Sequence, residues 1–151
     1  MAVIRIVKTI KQIHPKDVLL VKIGSFYHAY GKDAIILSYL FNYKIKIQEN
    51  IYTCGFPLAS YKKVISKLED KKINYLMVDR RNNYEKDEEQ DNKNLNTYEE
   101  IYKIAHIYIR CKKRIDNINM YLYNNLHNIE IYEKIKKIEE ILNEGRKIQS
   151  N

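Results

Sequence analysis

The chain has 151 residues, which is enough for one domain with a real hydrophobic core, or for one domain and an appendage. Its formal net charge at pH 7 is +8, and no apolar run approaches the ~20 residues that a membrane-spanning helix needs. Composition therefore argues against a membrane protein and favours an anionic partner.

The positive charge is unevenly distributed along the chain. Residues 1–81 hold 15 Lys and Arg against 6 Asp and Glu, whereas residues 82–98 hold 2 against 5. A basic N-terminal part favours nucleic acid as its partner. The alternative is that the lysines serve only solubility.

The two cysteines, Cys54 and Cys111, have no metal-ligand spacing. The first residues lack the small-residue cleavage site of a signal peptide. We therefore expect reduced thiols in a cytoplasmic protein, with no metal and no cofactor.

The first predicted elements are a helix and a buried strand. Apolar residues at helical spacing predict a helix over 3–13 that ends before Pro15. The apolar run that follows predicts a strand over 18–24, buried on both faces and closed by Gly24. Phe26, Tyr27 and Tyr30 then crowd into what we expect to be a strand-to-helix turn, a position that favours binding residues.

The next part of the chain predicts two helices and three strands. The helices are expected over 31–41 and from Pro57 to residue 70, with the proline in the first helical turn. The strands are expected over 43–47, 51–55 and 73–78, the first two joined by a turn at 48–50. The predicted fold class is α/β (α+β), a small mixed sheet flanked by helices and followed by a C-terminal helical hairpin.

Residues 80–98 have almost nothing to bury, so they are expected to be an acidic, mobile linker. Thr97 and Glu100 then match a capping box, in which the Thr97 hydroxyl accepts from a backbone amide. The expected division is a first domain over 1–80, a linker over 81–97 and a helical hairpin over 98–151.

An apolar seam runs along the predicted hairpin. Its members recur at steps of three and four residues: Ile101, Ile104, Tyr108, Cys111, Ile115, Ile118 and Leu122, then Ile131, Ile135, Ile138 and Leu142. The break at 124–128 separates the two helices, and Gly145 is expected to cap the second. Such a seam has to be buried against the first domain or against another chain.

The segment Gly24-Ser25-Phe26-Tyr27 resembles the Gly-x-Phe-Tyr-Glu signature of the N-terminal, mismatch-recognition domain of the MutS family. His14-Pro15 is similar to the family's Gln-His-Pro, and Cys54-Gly55-Phe56-Pro57 to its Ala-Gly-Ile-Pro. Residues 73–79 match its closing strand. The resemblance covers about residues 12–79 and rests on three motifs in the right order.

The resemblance implies that Phe26 is a wedge inserted from the minor groove against a mispaired base. Pushing an apolar ring between base steps costs a few kcal/mol per step. A mispaired step has already lost part of that energy, so it opens more easily than a matched one. The alternative is that Phe26 covers the core beside Tyr27.

Where the family has glutamate, this chain has His28. The family's glutamate is implied to hydrogen-bond the mispaired base and to repel undistorted duplex. Histidine can donate or accept, and would add positive charge if protonated, so His28 should raise general affinity and weaken discrimination. An ordinary surface histidine is the alternative.

The predicted nucleic-acid contacts form one set: Ser25, Phe26, Tyr27, His28, Lys22, Lys44 and Lys46. Further candidates for phosphate contacts are Lys32, Lys62 and Lys63, and the basic cluster of Arg110 with Lys112, Lys113 and Arg114. The alternative for each is a solvated lysine or a solvated helix face.

Two functions stay open. In the first, the chain binds mispaired or distorted duplex, with DNA ahead of RNA or a hybrid, and has no ATPase of its own, because no phosphate-binding loop is present. We therefore expect no enzyme activity. In the second, it is an interaction module, for example an accessory to a retroelement reverse transcriptase, whose interface includes Ile115, Ile118 and Leu122.

Overall fold

The computed structural model describes residues 2–92 and 96–144. The chain divides into two compact units, residues 1–110 and residues 111–151. The first unit is built on a six-stranded mixed sheet, and the second is helical. The predicted fold class, a mixed sheet flanked by helices, is confirmed.

The sheet has the strand order β3-β4-β2-β1-β5-β6. Only β1 and β5 pair in parallel, and every other neighbouring pair is antiparallel. The strands are β1 (Val18–Ile23), β2 (Phe26–Tyr30), β3 (Lys46–Gln48), β4 (Ile51–Pro57), β5 (Tyr75–Asp79) and β6 (Glu85–Gln90).

The described residues form five α-helices: α1 (Ala2–Ile13), α2 (Lys32–Phe41), α3 (Tyr61–Asp70), α4 (Tyr98–Asn124) and α5 (Ile129–Asn143). Side chains of α1 pack on one face of the sheet, in a cluster with Leu19 and Val21 of β1. Helices α2 and α3 and the start of α4 pack on the other face, in a cluster with Val18 and Leu20. The strand predicted to be buried on both faces therefore has that environment.

The aromatic segment after Gly24 is not the strand-to-helix turn expected from the sequence. It forms β2, which pairs with β1 through a two-residue hairpin of Gly24 and Ser25. Gly24 has φ of 61°, in the region that glycine enters without a steric penalty, and glycine at the first position of such a turn is typical of type II′ hairpins. The prediction failed because the hairpin turn is so short.

Other boundaries also differ from the prediction. The strand expected over 43–47 lies at Lys46–Gln48, and Pro57 ends β4 instead of starting a helix. A short 3₁₀ segment, Leu58–Ser60, precedes α3. The bounds of β3 are therefore set by its pairing with β4 and not by its own alternating pattern.

The acidic segment expected to be a linker instead contains the edge strand β6. It pairs with β5, and Asn74 holds the chain two residues past the end of β6. Asn92 N–H donates to Asn74 Oδ1 at 3.0 Å, and Asn74 Nδ2 donates to the Asn92 carbonyl at 3.3 Å. Backbone pairing with a buried neighbour forms this strand, so its own side chains need not be apolar. Charged side chains at a sheet edge also discourage pairing with another chain.

The start of α4 differs from the predicted capping box. The Thr97 hydroxyl donates to the Lys71 carbonyl, whereas Asn96 Oδ1 accepts from the Tyr98 N–H at 3.1 Å. Asn96 therefore takes the capping role predicted for Thr97, and the Thr97 side chain joins α4 to the end of α3.

A buried carboxylate joins four elements of the first unit. Asp33 of α2 is 1% exposed and accepts hydrogen bonds from Tyr98 Oη at 2.6 Å, Lys11 Nζ at 3.0 Å and Leu19 N at 3.1 Å. Burial raises the pKa of Asp33, and the charge of Lys11 and the hydrogen bonds oppose that shift. No sequence pattern predicted this cluster, because its members lie up to 65 residues from Asp33 along the chain.

The second unit contains the later part of α4, a turn at 125–128 and α5. The Asn128 side chain caps α5 by accepting from the Glu130 N–H at 3.0 Å, and Lys134 Nζ donates to Tyr121 Oη at 2.8 Å. The predicted interruption of the helices is confirmed. The predicted cap at Gly145 lies outside the described residues.

We expect Asp33→Asn to lower the free energy of unfolding by about 3 kcal/mol, because a buried ion pair that loses one partner leaves an uncompensated charge. The new amide nitrogen would also face a donor at Leu19 or Lys11. Asp70→Asn, an exposed change at the end of α3, should stay within about 0.5 kcal/mol. Urea unfolding followed by circular dichroism measures both, and equal stability of the two variants would contradict the role given to Asp33.

Candidate nucleic-acid interface

The β1–β2 hairpin positions Phe26 at the end of a strand inside the sheet. Phe26 pairs with Ile23 on one side and with Pro57 on the other. The Ser25 carbonyl accepts from the Leu58 N–H at 3.0 Å, which fixes the turn to the end of β4. The predicted contact Ser25 is therefore an exposed turn residue immediately next to Phe26.

The alternation of β2 divides the predicted aromatic cluster between the two faces of the sheet. Phe26 is 45% exposed and lies on the α1 face, as its partner Ile23 does. Tyr27 is 5% exposed and lies on the other face, where its ring stacks on Phe56 at a centroid distance of 5.6 Å. Tyr27 therefore belongs to the core and not to the surface that carries Phe26.

His28 lies on the same face as Phe26, and the two ring centroids are 6.3 Å apart. Its partner in β4 is Gly55. A Cβ atom at Gly55 would meet His28 Nδ1 at 3.1 Å and Cε1 at 3.2 Å, so the missing side chain lets the imidazole lie across β4. The glycine of the Cys-Gly-Phe-Pro segment thus supports the second ring of the site.

The environment of His28 favours the neutral imidazole. Burial lowers the pKa of His28, and the positive charge of Lys46 lowers it further. A neutral imidazole has one donor and one acceptor nitrogen. The expectation that His28 adds positive charge is therefore not favoured by its surroundings near neutral pH.

The predicted lysines do not share one surface. Lys46 is exposed and pairs with Thr53, which pairs with Tyr30, so its position faces the α1 side with Phe26 and His28. Lys44 is exposed two residues earlier, outside β3. Lys22 pairs with Tyr27 on the other face, and its Nζ lies 3.9 Å from Asp79.

The remaining basic candidates lie elsewhere. Lys32 Nζ lies over the Tyr102 ring at 4.8 Å, and Lys62 and Lys63 are exposed on α3. The basic cluster on α4 is exposed. We define the ring surface as Phe26, His28, Gly55 and Lys46, the residues that the structure brings together on one face.

The predicted interface residues of α4 are largely exposed. Ile115 is 55% and Ile118 is 52% exposed, and Leu122 is half-buried. The residues of α4 that pack in the core are Tyr98, Ile101, Tyr102 and Ala105. Ile101 belongs to the predicted seam, whereas the next seam residue, Ile104, is largely exposed.

The part of the chain that the structure describes holds no group of three or more His, Cys, Asp or Glu side chains suited to a metal. No helix in it is long and apolar enough to cross a bilayer. An open cavity of about 600 Å³ is lined by His14, Asp17, Asn74 and Asp91 among others, and none of its lining residues belongs to the ring surface.

We expect the His28 imidazole to titrate below the unperturbed value of about 6.5. Below that pH the unfolded chain takes up the proton first, so His28 should cost stability as the pH falls. Lys46→Ala should raise the pKa of His28 only in part, because burial is the larger cause. Proton NMR of the ring measures it, with Lys22→Ala on the other face as the unchanged control; a pKa at or above the usual value would contradict this environment.

Comparison with known proteins reaches further than the three sequence motifs. The family described as MutS domain I matches residues 1–105. Two proteins named DNA mismatch repair protein MutS, from Borreliella burgdorferi strains ZS7 and ATCC 35210 / DSM 4680 / CIP 102532 / B31, are each 39% identical over 66 residues. That alignment covers 42% of this chain and 8% of each relative. Since the family match covers most of the chain, the chain belongs to the MutS domain I family.

Proposed function

We propose that this chain binds duplex nucleic acid, with DNA first, and recognises mispaired or distorted sites by inserting Phe26 between loosened bases. The printed names of its relatives refer to DNA mismatch repair. The relatives are much longer than this chain, so their complete activity does not transfer with the domain. Recognition without ATP hydrolysis is the function we assign.

The observation that carries the proposal is the exposed Phe26 ring, on the face of the sheet that also holds His28 and Lys46. An apolar ring and a cation on one face suit a surface that meets both bases and phosphates. The β1–β2 hairpin keeps the Phe26 ring in this exposed position before any duplex binds.

Discrimination follows from the energy of deforming the duplex. Inserting a ring between base steps costs a few kcal/mol per step in matched DNA. A mispaired step is already weakly stacked and paired, so it is opened at a lower cost. The protein therefore reads deformability, without needing hydrogen bonds to particular bases.

His28 affects how strongly the protein discriminates between mispaired and matched duplex. A neutral imidazole beside Phe26 can donate to or accept from a base edge, whichever the mispair presents. Unlike a carboxylate at this position, it adds no charge that repels matched duplex. We therefore propose broader duplex binding with weaker discrimination than a glutamate would give.

A second candidate function is a protein-interaction module that uses the α4 seam. The exposure of Ile115 and Ile118 favours it. It is compatible with nucleic-acid binding through the ring surface, since the seam residues 115–122 and the ring surface belong to different units.

We expect Phe26→Ala to weaken binding to a mismatched duplex by roughly 5- to 150-fold, the factor that a base–aromatic contact of about 1–3 kcal/mol represents. Binding to the matched duplex should weaken less, because less of its affinity depends on insertion. Fluorescence anisotropy with labelled matched and mismatched duplexes measures the ratio.

The matched control for Phe26→Ala is Tyr52→Ala, an exposed aromatic of β4 on the opposite face. It should leave the mismatched-to-matched ratio unchanged. An equal loss for both duplexes in Phe26→Ala, or the same ratio change in Tyr52→Ala, would refute insertion of this ring.

Lys46→Ala should weaken binding to both duplexes alike and reduce the slope of log K against log salt by about 1, as expected for the loss of one phosphate contact. Titrations at about 50 mM and 200 mM salt give the slope. Lys22→Ala, on the other face beside Asp79, should leave it unchanged. Should both lysines lower the slope equally, the phosphate contact does not belong to the ring surface.

A further inference from the structure

The helical unit, residues 111–151, carries more exposed apolar side chains than it needs for its own fold. Within its described part, residues 111–144, the exposed large apolar residues are Ile115, Ile118, Met120, Tyr121, Tyr123, Leu126, Ile129, Tyr132, Ile141 and Leu142. Among the large apolar residues of this part, Ile131 alone is fully buried. Apolar side chains that are exposed in this number point to an interaction site when some of them share one face.

The apolar positions are organised as stripes and are not scattered. On α4 the stripe contains Ile115, Ile118 and Leu122, and on α5 it contains Ile135 and Ile138 with their neighbours at the same spacing. The apolar side chains of such a stripe are fully buried only when other helices pack against both of its sides. Two helices alone leave one side of each stripe in water, which four helices would cover.

The charge of this part argues against nucleic acid as the occupant of the stripe. Residues 111–144 hold six Lys or Arg and six Asp or Glu, so their formal net charge is zero. A polyanion gains little from such a surface, and two copies of it do not repel each other. Both signs are present on each helix, which supplies complementary rims for a symmetric contact.

The partner that best fits a charge-balanced apolar stripe is a second copy of the same stripe. A stable dimer buries roughly 800 Å² on each partner. We propose that the stripe around Ile115 and Ile118 is the interface with a second copy of this chain, forming a four-helix contact.

This dimer is independent of the duplex-binding function. It leaves the ring surface unused, because residues 111–144 contain none of its members. A dimer carries two ring surfaces, so it would hold a duplex with two distorted sites more tightly than a monomer does.

Analytical ultracentrifugation of the full chain tests the interface. The wild type should sediment at twice the chain mass of 18.2 kDa and dissociate on dilution. The double variant Ile115→Asp/Ile118→Asp should weaken association by at least about 30-fold, the factor to which a hot-spot loss of ~2 kcal/mol converts. Met120→Asp, a 63% exposed residue on the opposite side of α4, is the matched control and should remain dimeric.

A labelling measurement keeps the test decisive if the double variant does not fold. Cys111 lies on the stripe and is exposed in the single chain, whereas Cys54 is buried and burial raises its pKa to about 12. Modification of Cys111 in the wild type should slow as the protein concentration rises. A monomeric wild type, equal dissociation of Met120→Asp, a concentration-independent Cys111 rate, or capture of lipid vesicles by the stripe would overturn the proposal.

Discussion

The carboxylate of Asp33 sits in the interior of the first unit, where an unpaired charge would be prohibitively costly. Its partners come from three other elements: Lys11 of α1, Leu19 of β1 and Tyr98 of α4. The fold must therefore bring all of these elements together to satisfy one group. Lys11 also lies over the Tyr98 ring at 4.9 Å, so α1 and the start of α4 contact each other directly as well as through Asp33.

The ring surface depends on this arrangement through β1. With β1 held at Leu19, the two-residue hairpin leaves β2 a single register, and alternation then buries Tyr27 while it exposes Phe26. Gly55 on the next strand leaves room for His28 beside the exposed ring. A shift of one residue in β2 would exchange the faces, placing Tyr27 in water and Phe26 in the core.

Local patterns in the sequence predicted most of the elements and the family, because helical spacing and the Gly-Ser-Phe-Tyr segment are visible within a few residues. They did not predict β6, whose acidic side chains carry no strand pattern and whose pairing depends on β5. They also did not separate Tyr27 from Phe26, since the faces are known only once β2 is recognised as a strand. The contacts of Asp33 and the fit of His28 on Gly55 depend on residues far apart in the chain, which no spacing rule detects.

Ring NMR of selectively labelled phenylalanine tests the insertion of Phe26 most directly, because the chain has three phenylalanines. Phe56 is fully buried and serves as the internal reference. On addition of a mismatched duplex, the Phe26 ring signals should move strongly upfield, as expected for a ring stacked between bases, while those of Phe56 stay in place. Binding of the mismatched duplex with no change at Phe26, or with an equal change at Phe56, would contradict the account.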